Sequence, residues 1–181
     1  MQRSDIRHQY LKLFPHLQKV IDQVDDKLSQ LPSDDFQYEL AFKPLDSVQN
    51  KLQDRHEDDL TQLSDLVRGR VFFSQDYTFE QAIDKIKDCL GDWIKHTENK
   101  KDKHDGFRYF GVVHLDLCID GINFELQVMP VEHKTFLPIL HYCYEYHRYN
   151  SESSNSEKDR LRFLNNDIYK MLEKLYHQLR Q

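Results

Sequence analysis

The chain has 181 residues, 39% of them hydrophobic, with five glycines and five prolines, enough to bury one substantial core and short for two. A net charge of −6 and a pI near 5.9 give no overall attraction to nucleic acid or to an anionic membrane, so a phosphate must be met by a local cluster of cations. Cys89, Cys118 and Cys143 have neither the number nor the spacing of a disulfide framework or zinc knuckle, and no apolar run has the form of a signal peptide or a membrane span. A cytoplasmic protein is expected, or one exported without a cleavable signal, with no membrane partner.

The N-terminal segment carries Leu17, Val20, Ile21, Val24, Leu28 and Leu31 at three- and four-residue steps. This stripe predicts an amphipathic helix over 4–31, bent near Pro15. Pro32-Ser33-Asp34-Asp35 ends it, and Phe36, Tyr38, Leu40 and Phe42 alternate with other residues as in a half-buried strand. A short helix follows from about Asp46 to Asp59. Leu66–Phe73 is rich in β-formers, and Thr78-Phe79-Glu80-Gln81 is a capping box for a helix carrying Ile83, Ile86, Leu90, Trp93 and Ile94.

A polar, lysine-rich stretch from His96 to Asp105 leads to two β-rich runs, Arg108–Ile119 and Ile122–Met129. Between them lies Asp120-Gly121, a favoured pair for a type I′ hairpin. Helices over Glu132–Arg148 and Glu157–Arg180 close the chain, joined by the serine-rich linker Asn150–Ser156. The order predicts an α+β fold, one domain over 1–181, with an N-terminal helix (4–31), a core (36–130) and C-terminal helices (131–181), in which helices cover a small, mainly antiparallel or mixed sheet of about four to five strands.

The hairpin implies a site. Counting back from a two-residue turn sets Ile119 against Ile122, Leu117 against Phe124, Asp116 against Glu125 and His114 against Gln127. Ile122, Phe124, Leu126 and Val128 then share an apolar face, and Asn123, Glu125 and Gln127 a polar one. Opposed carboxylates repel at a cost of up to about 1 kcal/mol unless a cation, a shared proton or water relieves them. A solvated face explains the pair, and so does a metal. Asp65, just ahead of a strand, is either a turn aspartate or a third oxygen ligand; a few hard oxygens suit Mg²⁺, which bridges to substrate phosphates.

Three segments in order, spanning about Phe36 to Met129, resemble the synthetase domain of the RelA/SpoT family. That family has a nucleotidyltransferase-like fold and transfers pyrophosphate from ATP to a guanine nucleotide, making the bacterial alarmone. In Phe42-Lys43-Pro44-Leu45-Asp46-Ser47-Val48-Gln49-Asn50-Lys51-Leu52, the Lys43, Ser47 and Lys51 pattern matches the family's at a strand-to-helix junction, where phosphate would be cradled. Asp65-Leu66-Val67-Arg68-Gly69-Arg70-Val71 resembles the family's Asp-Leu-x-Gly-x-Arg pattern, whose aspartate binds Mg²⁺. Gly106-Phe107-Arg108, followed by Phe124-Glu125-Leu126-Gln127, matches the family's Gly-Tyr and Glu-x-Gln.

The resemblance implies that Asp65 and Glu125 hold Mg²⁺ and that Glu125 accepts the proton of the attacking hydroxyl. It also implies that Lys43, Ser47, Lys51 and Arg70 position phosphates, that Phe107 stacks on the acceptor base, and that Gln127 is a polar neighbour. The implied donor is ATP and the acceptor is GDP, GTP, an adenine nucleotide or an RNA 3′ hydroxyl, tRNA included. Among the departures from the family, its arginine two residues before Lys43 is Ala41, the ring of Gly-Tyr-x-Ser-Leu-His is Phe107 and its closing histidine is Gly111, and its Arg-x-Lys-Asp stretch has no clean counterpart. Ala41 and Gly111 support an alternative, a catalytically inactive binding module. Asp-Leu-Val-Arg-Gly-Arg also resembles a branch of this fold among bacterial secreted effectors. The apolar stripe of the last helix fits either a core or an oligomer interface.

Overall fold

The structure, a computed structural model, describes residues 3–55, 59–99, 111–149 and 155–180. The elements, in chain order, are α1 (Arg3–Leu28), β1 (Phe36–Phe42), α2 (Leu45–Arg55), a 3₁₀ turn at Leu60–Gln62, β2 (Val67–Phe73) and α3 (Phe79–Leu90). There follow a second 3₁₀ turn at Gly91–Trp93, then β3 (Ile94–Asn99), β4 (Val113–Ile119), β5 (Ile122–Pro130), α4 (His133–Tyr149) and α5 (Asn155–Leu179). The five strands form one sheet in the order β1-β2-β5-β4-β3. Only β2 and β5 run parallel; the other three pairings are antiparallel, so the α+β fold with a small mixed sheet is as the pattern predicts.

One expectation fails. Trp93 and Ile94 do not continue α3: the helix stops at Leu90 because Gly91 takes φ 59°, leaving a 3₁₀ turn. Ile94–Asn99 is then an edge strand, where a polar connection was expected. Of its six residues Ile94 alone is partly buried and the other five are exposed, so it lacks the apolar alternation that marks a strand. At the other helix ends the boundaries differ by a few residues: α1 ends at Leu28, and α2 is described to Arg55.

The hairpin has the register that the two-residue turn demands, with Asp116 opposite Glu125 and His114 opposite Gln127. Asp120 and Gly121 both have positive φ, 50° and 80°, as a type I′ turn requires. Lys19 of α1 ties the turn down through a 2.6 Å contact with Asp120.

The sheet has two unlike faces. Val67, Val71, Phe73, Leu115, Leu117, Phe124, Leu126 and Val128 point inward and pack with Leu17, Val20 and Val24 of α1 and Ile83 and Ile86 of α3 in one core. On the opposite face, Phe72, Met129 and Val112 are covered by Val131 and by Leu137 of α4. The remainder of that face carries polar side chains. At the far end of α5, Arg180 donates to the carbonyls of Tyr77 and Ser74 and pairs with Glu132 at 3.1 Å, while stacking over the Tyr176 ring. The C-terminal helix is thereby pinned to the segment between β2 and α3.

Gly69 is required by close packing. A methyl group there would lie 2.8 Å from side-chain carbons of Leu126 and Leu40 and 3.2 Å from the Glu39 carbonyl oxygen. Gly69→Ala is predicted to destabilise the protein by about 1–3 kcal/mol through overpacking, read as a lower urea midpoint. An unchanged midpoint would contradict this packing.

Candidate active site

The polar half of the outer face is a grid fixed by strand register. One row runs Ala41, Arg68, Glu125, Asp116, His96 and the next runs Glu39, Arg70, Gln127, His114, Glu98. Because β2 alternates, buried Val67, Gly69 and Val71 force Arg68 and Arg70 to the opposite face, where both are half-buried.

Glu125 lies at the centre. Its Oε1 accepts from Gln127 Nε2 at 3.0 Å, Gln127 Oε1 accepts from Arg70 Nε at 3.4 Å, and Glu125 Oε2 faces His114 Nδ1 at 3.4 Å. Four polar side chains thus form a chain across β2, β5 and β4. Asp116 stands opposite Glu125 as expected, while Oε1 of Glu125 takes a hydrogen bond from Gln127 on the second row and Oε2 faces the His114 ring.

A second cluster sits at the mouth of β2. Tyr10 of α1 donates to the Lys43 carbonyl at 2.9 Å, and the Lys43 amide donates to the Leu66 carbonyl at 2.9 Å, extending the β1–β2 ladder. This brings Lys43 Nζ to 2.6 Å from Asp65 Oδ2. Lys51, one turn beyond half-buried Ser47 on α2, places Nζ 2.8 Å from Asp65 Oδ1. Lys43 and Asp65 are buried. Burial opposes ionisation of Asp65, but the ammonium groups of Lys43 and Lys51, one hydrogen-bonded and both ion-paired to it, outweigh burial and hold the carboxyl below its usual range. Asp65 Oδ1 nevertheless accepts no hydrogen bond, because Lys51 approaches outside hydrogen-bonding geometry.

The residues expected to form one site are therefore arranged as two neighbouring clusters. Lys43, Lys51 and Asp65 make one, Arg70, Gln127 and Glu125 the other, and Asp65 precedes Arg68 of the grid by three residues. Phe107 and the lysine run from Lys100 to Lys103 lie outside the described residues. Among the described residues no group of three or more His, Cys, Asp or Glu is arranged to hold a metal. Sequence reasoning passed over His114, 7% exposed, although the hairpin count already set it opposite Gln127. It also passed over Arg68.

Gly111 has φ 59° and lies against Phe79 and Pro130. It lines a separate cavity of about 410 Å³ at the N-terminal end of α3, with Thr78, Phe79, Asn99, Tyr176 and Arg180. None of the predicted site residues among those described lines that cavity.

The fold is that of the small alarmone synthetases. Small alarmone synthetase 2 from Bacillus subtilis matches with a TM-score of 0.66 at 14% identity, over 97% of this chain and 96% of that one. Small alarmone synthetase 1 from Bacillus subtilis, bound to its product pppGpp, matches at 0.62 and 13% identity, over 96% and 100%. The Type VI effector Tas1, solved with its immunity protein, matches at 0.56 and 14% identity, over 94% and 96%. No family model matches this chain, and no curated protein matches it in sequence. Identities this low establish the fold alone.

Lowering the Asp65 pKa on folding has a definite sign. The ionised, paired carboxylate stabilises the fold fully above the ordinary carboxylate pKa of about 3.9, and the contribution disappears as pH falls through the lower folded value. Asp65→Asn leaves two lysine ammoniums unpaired and is predicted to destabilise the protein by about 3 kcal/mol at pH 7. In urea titrations at successive pH values, the gap from the parent should close below about pH 4. A gap independent of pH would contradict the ion-pair account.

Proposed function

We propose that this protein is a diphosphotransferase: it moves the pyrophosphoryl group of ATP onto a hydroxyl of a second nucleotide, GDP or GTP, or onto an RNA 3′ hydroxyl. The observation that carries this reading is the Arg70–Gln127–Glu125–His114 chain on the polar half of a sheet with the small alarmone synthetase fold. A carboxylate held beside cations on an accessible face has the elements of phosphoryl-group chemistry, in which positioning and charge stabilisation do most of the work.

In the reaction, the acceptor oxygen attacks the β-phosphorus of ATP, the bond from that phosphorus to the α,β-bridging oxygen breaks, and AMP leaves. The acceptor's proton passes to Glu125. Gln127 fixes Oε1 and leaves Oε2, beside His114, as the oxygen that takes the proton. Arg70 meets phosphate oxygens. Lys43 and Lys51 hold Asp65 ionised and, on turning away from it, add positive charge at the phosphates, with Ser47 alongside on α2. Phe107 is proposed as the surface on which the acceptor base stacks.

The donor set fits Mg²⁺, a hard cation that is commonly held by one or two carboxylates plus substrate phosphates. Asp65, through the Oδ1 that Lys51 would release, and Glu125 would hold it. When bound, it supplies charge neutralisation at the transferring group.

A second reading, an inactive binding module or secreted effector, is favoured by one observation: both lysines of the expected phosphate cradle are engaged by Asp65. Transfer of label from β,γ-labelled ATP to GDP, GTP, ADP or bulk tRNA separates the two. The diphosphotransferase reading predicts a labelled acceptor, and a Glu125→Gln rate at least about a hundredfold lower, as for loss of a general base. No labelled product with any acceptor, from folded protein that binds ATP, would favour the binding module.

A further inference from the structure

We propose that Arg68 is a phosphate-binding residue of this site, acting with Arg70 as a two-guanidinium clamp on the polyphosphate of the bound nucleotide. The proposal rests on reading the polar sheet face as a nucleotide site.

Arg68 lies between Ala41 of β1 and Glu125 of β5 in the register. It is half-buried, yet among the described residues it makes no hydrogen bond or ion pair. Its neighbour Glu125 turns its two oxygens to Gln127 and His114. A guanidinium has five N–H donors in a fixed fork and loses solvation when partly buried. An unpartnered one on an otherwise well-connected face indicates that its partner is a ligand.

Its position makes the vacancy more costly. Gly69 is the one residue between two arginines on the same strand face, so their α-carbons stand about 6.6 Å apart along the strand. Desolvation, followed by the positive charge of Arg68, lowers the pKa of Arg70; Glu39 and Glu125 act the other way without cancelling the effect. Like charges held this close are relieved by an anion that reaches both. Ala41 has an exposed methyl group as its side chain, which leaves the β1 flank of Arg68 open to such a ligand. Lys43 and Lys51, cations at the mouth of β2, are already paired with Asp65.

The ligand chemistry follows from the geometry. Two forks on neighbouring outward positions match phosphoryl oxygens bidentately. A polyphosphate spans both arginines with several charged oxygens, whereas a single carboxylate satisfies one fork.

The test is calorimetric titration of the whole chain with ATP and, separately, inorganic pyrophosphate, in Mg²⁺, for the parent, Arg68→Ala and Arg68→Lys. The clamp predicts that Arg68→Ala weakens both ligands by about ten- to a hundredfold, the range for losing charged hydrogen bonds. Arg68→Lys should recover part of the loss, and all three proteins should unfold at similar urea midpoints. If Arg68→Ala does not fold, Arg68→Lys decides: a loss for both ligands supports the clamp, and parent-like affinity for both overturns it. Unchanged affinities in Arg68→Ala, or a loss for ATP without one for pyrophosphate, overturn the clamp while leaving the nucleotide site standing. A parent protein that binds neither ligand overturns the nucleotide-site reading and the clamp with it.

Discussion

Parallel pairing of β2 with β5 is the constraint on which the remainder of the site depends. It sets Arg68 beside Glu125 and Arg70 beside Gln127, joining a strand whose polar face is basic to one whose polar face is acidic and amide-bearing. The hairpin turn at Asp120-Gly121 adds β4, and with it His114 and Asp116, in a register that permits no slip without moving every apolar residue of β4 or β5 to the wrong face. Gly69 lets β1, β2 and β5 approach closely on the inner side. The outer grid thus inherits its precision from an apolar core packed against the other side of the same strands.

Electrostatics divides the labour between the two clusters. At the mouth of β2, burial would favour a neutral Asp65, and two lysines held by α2 and by the end of β1 keep it ionised. On the grid, desolvation and then the neighbouring charge of Arg68 lower the pKa of Arg70, with Glu39 and Glu125 acting in the opposite direction. The first cluster is internally paired, and the second contains a guanidinium, that of Arg68, without a hydrogen bond or ion pair among the described residues.

Much of this was legible in the sequence wherever the information is local. The Asp120-Gly121 turn fixed the Asp116–Glu125 and His114–Gln127 pairs because a two-residue loop leaves one register. The capping box at Thr78 and Gln81 forms as its spacing implies. Edge strand β3 was hidden because five of its six residues are exposed and Trp93 and Ile94 continue the spacing of α3. The lysines at 43 and 51 were read as phosphate ligands because their spacing is visible, whereas their pairing with Asp65 depends on how β1, α2 and β2 meet. Arg68 was given no role from the sequence, since its neighbours Ala41 and Glu125 come from strand pairings that sequence order does not reveal.

The most direct measurement is a crystal structure of the protein with AMPCPP and Mg²⁺. The account predicts the nucleotide on the outer face of the sheet, with phosphate oxygens within hydrogen-bonding distance of both Arg68 and Arg70 and close to Asp65 and Glu125. A nucleotide lodged instead in the cavity beside Phe79, Tyr176 and Arg180, or phosphates facing away from β2, would contradict it.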